Sequence, residues 1–438
     1  MKHNIGDLYQ MQALPLNAKI NMTITRVRGW LDHWDDECYI SFSGGKDSTV
    51  LVDIIHNKMG RKDIPLVFVD TGLEYPEIRE FVKGYGDKVT WLKPKMNFRQ
   101  VIEKYGYPMF SKETAEVVYN AKKYLQKIAE QETIARQTDR QTDRQTPYAQ
   151  FYRKLTGTGE YSKFSLTPAD EEAMKNVSRG GKTQNTENFV DLVSLAKSKD
   201  KWEMPYRVSI MMGTFETHWD KKKKGIIPKD GVPSKAKFSQ KKYQFMLNAP
   251  FNISHHCCNV MKKSPVHKYA KETGRKAITA QMASESRLRT QKWLQNGCNG
   301  FDLKIPVSNP MAFWTEQDVL AYIKLNNLPI ASVYGDVIED QGEDGVDGQM
   351  RFDELDPSLG IFDLGVPLLK TTGCKRTGCC FCGFGCHLEK EGEGRFEMMK
   401  KTHPKMYEWI MKPWEEGGLN YKEIIDWINE NGNMNIRY

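Results

Sequence analysis

At 438 residues the chain is long enough for a main domain with additions, and its 39% hydrophobic share supports a buried core. No apolar run is long enough to cross a bilayer as a helix, and the first residues lack the apolar region of a signal peptide, so a cytoplasmic protein with no membrane partner is expected. A net charge of +8 suits anionic partners, nucleotides or nucleic acid.

In chain order, Ile20, Ile24, Val27, Leu31 and Trp34 share one helical face and predict a helix packed on a sheet. Positions 38–42, rich in aromatic and β-branched residues, predict a buried strand. Ser43, Gly44 and Gly45 break it, and Val50, Leu51, Ile54 and Ile55 then fall at helical spacing. A strand, a glycine turn and a helix start aim backbone N–H groups and a positive helix end at one point. Glycine lets a phosphate come close to the backbone, Ser43, Ser48 and Thr49 add hydroxyls, and Lys46 adds a mobile charge. The order Ser43-Gly44-Gly45-Lys46-Asp47-Ser48 departs from the Walker pattern. It resembles the pyrophosphate loop of ATP pyrophosphatases and phosphoadenylylsulfate reductases.

Positions 65–69 predict a second strand ending in Asp70-Thr71-Gly72, 76–85 a helix, and 88–92 a third strand. This alternation argues a parallel sheet with ligands at the carboxyl ends of its strands, which puts Asp70, Thr71 and Gly72 beside the first loop. Taken alone, the three residues also admit the lesser reading of a helix-capping turn. The run 68–76 is similar to the segment after the second strand in the reductases, where it helps hold the nucleotide.

From 107 to 250 the sequence is less specific. Val117, Ala121, Leu125 and Ile128 predict an amphipathic helix, 136–146 is a polar repeat, Gly180-Gly181 a loop and Lys221 to Lys224 a basic turn. These polar stretches read first as solvated surface and second as nucleic-acid contacts.

Nine cysteines carry the remaining chemistry. Cys257 and Cys258 are adjacent, and Cys374, Cys379, Cys380, Cys382 and Cys386 cluster near the C-terminus. In a reducing compartment such clusters more often bind a metal than form disulfides, and spacing alone does not separate zinc from iron–sulfur. The pair taken alone reads equally as two small hydrophobes. Positions 277–280 predict another strand, and Thr315 with Asp318 a helix-capping box. Asn327, Leu328, Pro329 and Tyr334 read as structural. Positions 338–356 read as an acidic surface loop, and 396–438 as a helical tail with Met399, Tyr407, Ile410, Trp414, Ile424 and Trp427 in its apolar face.

Two further segments extend the resemblance. Positions 281–289 are similar to a reductase segment in Glu285, Ser286 and Arg289, but Gln281 and Met282 stand where the family has Gly and Arg. Arg287 is a candidate to compensate. Cys257, Cys258, Cys379 and Cys382 match the pattern that holds a four-iron cluster in iron–sulfur reductases, and Cys374 is an additional candidate ligand. Cys386 is a candidate redox nucleophile, although the family's mobile Glu-Cys-Gly tail is not reproduced.

The sequence is identified as a member of the phosphoadenylylsulfate reductase family. The resemblance implies an α/β fold of the adenine nucleotide α-hydrolase-like (Rossmann-like) type, with a parallel sheet, a helical insertion and a Cys-rich C-terminal region. The expected divisions are 1–106 and 251–336 for the two halves of the α/β domain, 107–250 for the insertion and 337–438 for the Cys-rich segment and tail. It implies Lys46, Asp47 and Arg289 as catalytic residues. Ser43, Gly44, Gly45, Lys46, Asp47, Ser48, Asp70, Thr71, Gly72, Glu285 and Ser286 would hold ATP or (phospho)adenylylsulfate, with Mg2+ as an optional companion. Cys257, Cys258, Cys374, Cys379 and Cys382 would hold a 4Fe-4S iron–sulfur cluster, or zinc. The implied reaction is reduction of the sulfonucleotide to sulfite, with a thiol or sulfur-donor protein as partner. Two alternatives stay open: ATP-dependent sulfur insertion into nucleic acid, and a nucleotide-sensing subunit of a larger complex.

Overall fold

The structure is a computed structural model that describes residues 3–139, 191–198, 206–213, 240–340 and 368–438. Positions 140–146 of the polar repeat, Gly180-Gly181, Lys221 to Lys224 and the acidic stretch from 341 onward lie outside the described residues. The ten described strands are β1 Cys38–Ser41, β2 Leu66–Val69, β3 Val89–Leu92, β4 Met109–Phe110, β5 Lys276–Ile278, β6 Asn299–Gly300, β7 Val307–Ser308, β8 Val337–Glu339, β9 Leu369–Thr371 and β10 Gly383–Phe384. The chain forms two units: Met1–Asn97 with Val260–Cys380, and Phe98–Asn259 with Phe381–Tyr438.

The first unit is built on a six-stranded sheet in the order β3-β2-β1-β5-β7-β6. All neighbours run parallel except β6 and β7. Cys38, Tyr39 and Ile40 of β1 are buried on successive positions, the pattern of a strand covered on both faces rather than one. The register pairs Ile40 with Leu66 and Tyr39 with Ala277, so the central strand is flanked by one that follows it closely and one that returns from far along the chain. This is the parallel α/β fold the sequence implies.

The helices have local causes. Leu16–His33 buries Lys19, Thr23, Val27, Trp30 and Leu31. The predicted Ile20, Ile24 and Trp34 sit half-buried beside that face. The buried stripe is rotated because two polar groups find partners there: Lys19 Nζ donates to Asp318 at 2.7 Å, and Thr23 accepts from Trp314 Nε1 at 2.9 Å. Thr315 caps Glu316–Asn326 in the predicted capping box with Asp318. After Asp53 the helix that begins at Lys46 continues as a π turn, Ile54–Lys58, which hydrophobic periodicity did not foreshadow.

The second unit is mostly helical. Its largest described helix is Lys112–Asp139, whose Val117, Ala121 and Leu125 are buried as expected, while the predicted Ile128 is half-buried. β4 pairs in parallel with β10, joining two stretches far apart in sequence. In the tail, Met399, Ile410 and Ile424 are buried, while Tyr407, Trp414 and Trp427 are half-buried. Among the described residues no helix is long and apolar enough to cross a membrane.

Candidate functional site

The first unit places its chemistry where β1 ends. Gly44 has φ +71, and a Cβ there would lie 2.7 Å from Val82 Cγ2 and 2.8 Å from Ile78 Cγ2. Glycine is required both for the turn and for the space. Gly45 is the N-cap of Lys46–Asp53 and brings no capping side chain. Behind the turn the Ser43 and Ser48 hydroxyls pair at 3.0 Å, and Ser48 and Thr49 both donate to Gly45 O. The hydroxyls therefore brace the loop.

Lys46 is 3% exposed, yet it is kept charged. Burial acts to lower its pKa, but Asp47 and Glu316 raise it above the ordinary lysine value. Its Nζ lies 3.0 Å from Glu316 Oε1 and 3.6 Å from Asp47 Oδ1, and donates to Lys375 O at 3.1 Å. Burial, then Glu316, raises the Asp47 pKa against the opposing pull of Lys46 and Arg376. Although the Asp47 side chain is 29% exposed, its Oδ1 is buried and accepts no hydrogen bond.

Tyr334 belongs to this site, a role the sequence reading did not assign to it. The Lys46 N–H donates to the Tyr334 hydroxyl at 3.2 Å, and the same hydroxyl pairs with Thr377 Oγ1. Nothing in the sequence marks it, because it stands 288 residues from its partner. Thr377 and Lys375 come from the Cys-rich segment, and Cys380 N donates to Leu73 O at 2.8 Å. That segment is thereby tied both to the glycine turn and to the turn after β2.

In the turn after β2, Asp70 pairs with Arg79 at 2.9 Å and accepts from Gly72 N. Thr71 bonds Glu74 through its N–H and its hydroxyl. Glu285 accepts from Met282 N at 2.8 Å and pairs with Arg289. Ser286 caps Arg287–Asn296 by accepting from Arg289 N. Burial, then Arg376, lowers the Arg289 pKa while Asp47 raises it, so Arg289, Arg376 and Asp47 feel one another's charge.

In the second unit, Cys257 is buried, and Cys258 and Cys382 are half-buried. Tyr421 is fully buried, and burial with the nearby Cys382, Cys257 and Cys386 thiols holds its pKa far above the ordinary value. The Tyr421 hydroxyl donates to Phe381 O at 2.6 Å. Cys386 donates to Gly383 O, and burial pushes its thiol up to about 12, which removes the thiolate character a redox nucleophile needs. Cys374 and Cys379 belong to the first unit. No cysteine is in a disulfide, and among the described residues no three His, Cys, Asp or Glu side chains stand as a metal-holding group.

A parallel sheet whose central strand ends in a glycine turn at a buried, charged lysine defines a nucleotide-binding α/β protein of the pyrophosphate-loop class. The family model for the phosphoadenosine phosphosulfate reductase domain matches residues 37–158 and 226–383, and the chain belongs to that family. Two uncharacterized proteins of Methanocaldococcus jannaschii are similar over short stretches. MJ0066 is 40% identical over 73 residues, 16% of this chain and 15% of its own length. MJ0973 is 43% identical over 72 residues, 16% of this chain and 17% of its own length.

Proposed function

We propose that the protein is a sulfonucleotide reductase that binds adenylylsulfate or phosphoadenylylsulfate at Ser43–Ser48 and reduces it to sulfite. The observation that carries this reading is Lys46: a lysine 3% exposed, held charged at the start of a helix with no capping side chain. An anion there gains the lysine charge, the helix end and the loop amides together. Asp70, Thr71, Gly72, Glu285 and Ser286 complete the nucleotide's surroundings in this reading, and Arg289 faces its anionic end. The buried Asp47 oxygen offers an acceptor to a nucleotide hydroxyl or to Mg2+ accompanying ATP.

In the reaction an external dithiol supplies the electrons; Cys386 is buried, and burial acts to raise its thiol pKa. One thiolate attacks the sulfuryl sulfur, the bond from sulfur to the phosphate oxygen breaks, and the nucleotide leaves with that electron pair. The second thiol attacks the resulting S-sulfonated sulfur, forming a disulfide and releasing sulfite. Lys46 and Arg289 offset the charge that gathers on the leaving phosphate.

An iron–sulfur cluster stays in this reading on the strength of the sequence pattern, with Cys257, Cys258, Cys374, Cys379 and Cys382 as candidate ligands. It would supply soft, polarising charge when bound, and no step above passes through it. Iron and acid-labile sulfide in anaerobically purified protein would support it; zinc without iron would replace it with a structural metal.

A second reading, ATP-dependent sulfur insertion into nucleic acid, is favoured by one observation. Met282 is 4% exposed among core residues and offers no charge to a sulfate. Incubation with adenylylsulfate and a dithiol, and separately with ATP and nucleic acid, distinguishes the two. Sulfite release in the first supports the reductase. Pyrophosphate or AMP release only in the second overturns it. A cytoplasmic setting accords with thiol donors and nucleotide substrates.

A further inference from the structure

The segment between β9 and the last residues of the first unit is more than a carrier of cysteines. Its Lys375 carbonyl accepts from Lys46 Nζ at 3.1 Å. Its Thr377 hydroxyl meets the Tyr334 hydroxyl that already accepts from Lys46 N–H, and lies 3.4 Å from where a Gly45 Cβ would stand. Residues on both sides of Arg376 therefore rest on the glycine turn, which fixes the Arg376 backbone at its mouth while the residue stays exposed.

The charges around it do not make a closed structural pair. Asp47 feels Arg376, and Arg289, itself partly buried, feels Arg376 as a neighbouring like charge. Arg289 pairs with Glu285, and Lys46 with Glu316. Two guanidinium groups and a lysine thus share the loop with the carboxylates of Asp47, Glu285 and Glu316. A guanidinium fork suits the oxygens of a tetrahedral oxyanion better than a point charge does.

Resting on the nucleotide reading above, we propose that Arg376, with Arg289 opposite, is a specificity-determining clamp for the terminal oxyanion, phosphate or sulfate, of the nucleotide held at the glycine turn. The backbone of the Cys-rich segment positions the clamp through Lys375 and Thr377. A nucleotide ending at its first phosphate reaches the loop without using Arg376; ATP and adenylylsulfate present a further oxyanion and use it.

The test compares Arg376→Gln, Arg376→Lys and the control Arg61→Gln with the unaltered full chain, by calorimetric titration with AMP, ATP and adenylylsulfate. Thermal melts verify that each variant is folded. For Arg376→Gln the dissociation constant for ATP or adenylylsulfate rises about tenfold, the loss expected for one charge-assisted contact, while that for AMP stays within about twofold. Arg376→Lys falls between, and Arg61→Gln matches the unaltered chain. A loss confined to adenylylsulfate assigns the clamp to sulfate, and a loss confined to ATP assigns it to phosphate. Equal losses for AMP and the longer ligands, or no loss, overturn the clamp while leaving the nucleotide reading intact. An unaltered chain that binds none of the three overturns both.

Discussion

The two units handle buried charge in opposite ways. In the first, Lys46 is buried yet stays protonated because Asp47 and Glu316 lie beside it. In the second, Lys122 is buried with no carboxylate cause acting on it; its Nζ donates to Ala249 O at 2.5 Å and Phe251 O at 2.8 Å, and burial lowers its pKa to about 7. A neutral amine has two N–H donors, which match the two carbonyls. Tyr421 and Cys386 follow the same rule, buried and held in their neutral forms. The contrast teaches what each lysine is for. A charge retained at a helix start suits an anionic ligand, whereas an amine that loses its charge pins one backbone segment to another.

The sharpest way to break the contrast is at the turn. Gly44→Ala forces a side chain into a left-handed backbone and against Val82 and Ile78. A loss of about 3 kcal/mol is expected from strain and overpacking together, read from denaturant unfolding. An unchanged midpoint would mean that the turn relaxes freely and is not the rigid cradle described.

Next comes Lys46→Ala, which removes the retained charge. Affinity for ATP should fall about 30-fold, as for loss of a charge-assisted hydrogen bond in a buried setting, measured by titration calorimetry. An unchanged affinity would assign Lys46 to structure, alongside Lys122.

The smallest effect is the pH response of Lys122. The unfolded chain keeps this proton up to about the ordinary value of 10.5, whereas the folded chain releases it near 7. Between those values the unfolded state binds more protons, so stability rises with pH. The rise is about 1 kcal/mol per pH unit above about pH 7, and it is absent in Lys122→Met. Urea midpoints at pH 7 and pH 8 for both proteins give the difference. Parallel shifts in the two would show that Lys122 keeps its proton in the folded state.

How much of this was legible in the sequence follows from the range of the interactions. The glycine turn, the turn at Asp70 and the Thr315–Asp318 cap are short-range devices, and local spacing exposes them. The parallel sheet was legible because strands and helices alternate at regular intervals. Tyr334 and Lys375 were not, since their roles come from contacts 288 and 329 residues away in the chain. Glu285 and Ser286 matched a motif, yet their described contacts are an ion pair and a helix cap, which a motif does not distinguish from ligand contacts. Lys122 gives no sign in its helical pattern, where a buried lysine and a solvated one share the same spacing.

The most direct measurement is amide hydrogen exchange of the full chain with and without saturating ATP or adenylylsulfate. Slowed exchange at Gly44, Gly45, Lys46 and Asp47 on ligand addition is the predicted result. Binding that leaves these amides unprotected, or protects only amides of the second unit, would contradict an anion site at the glycine turn.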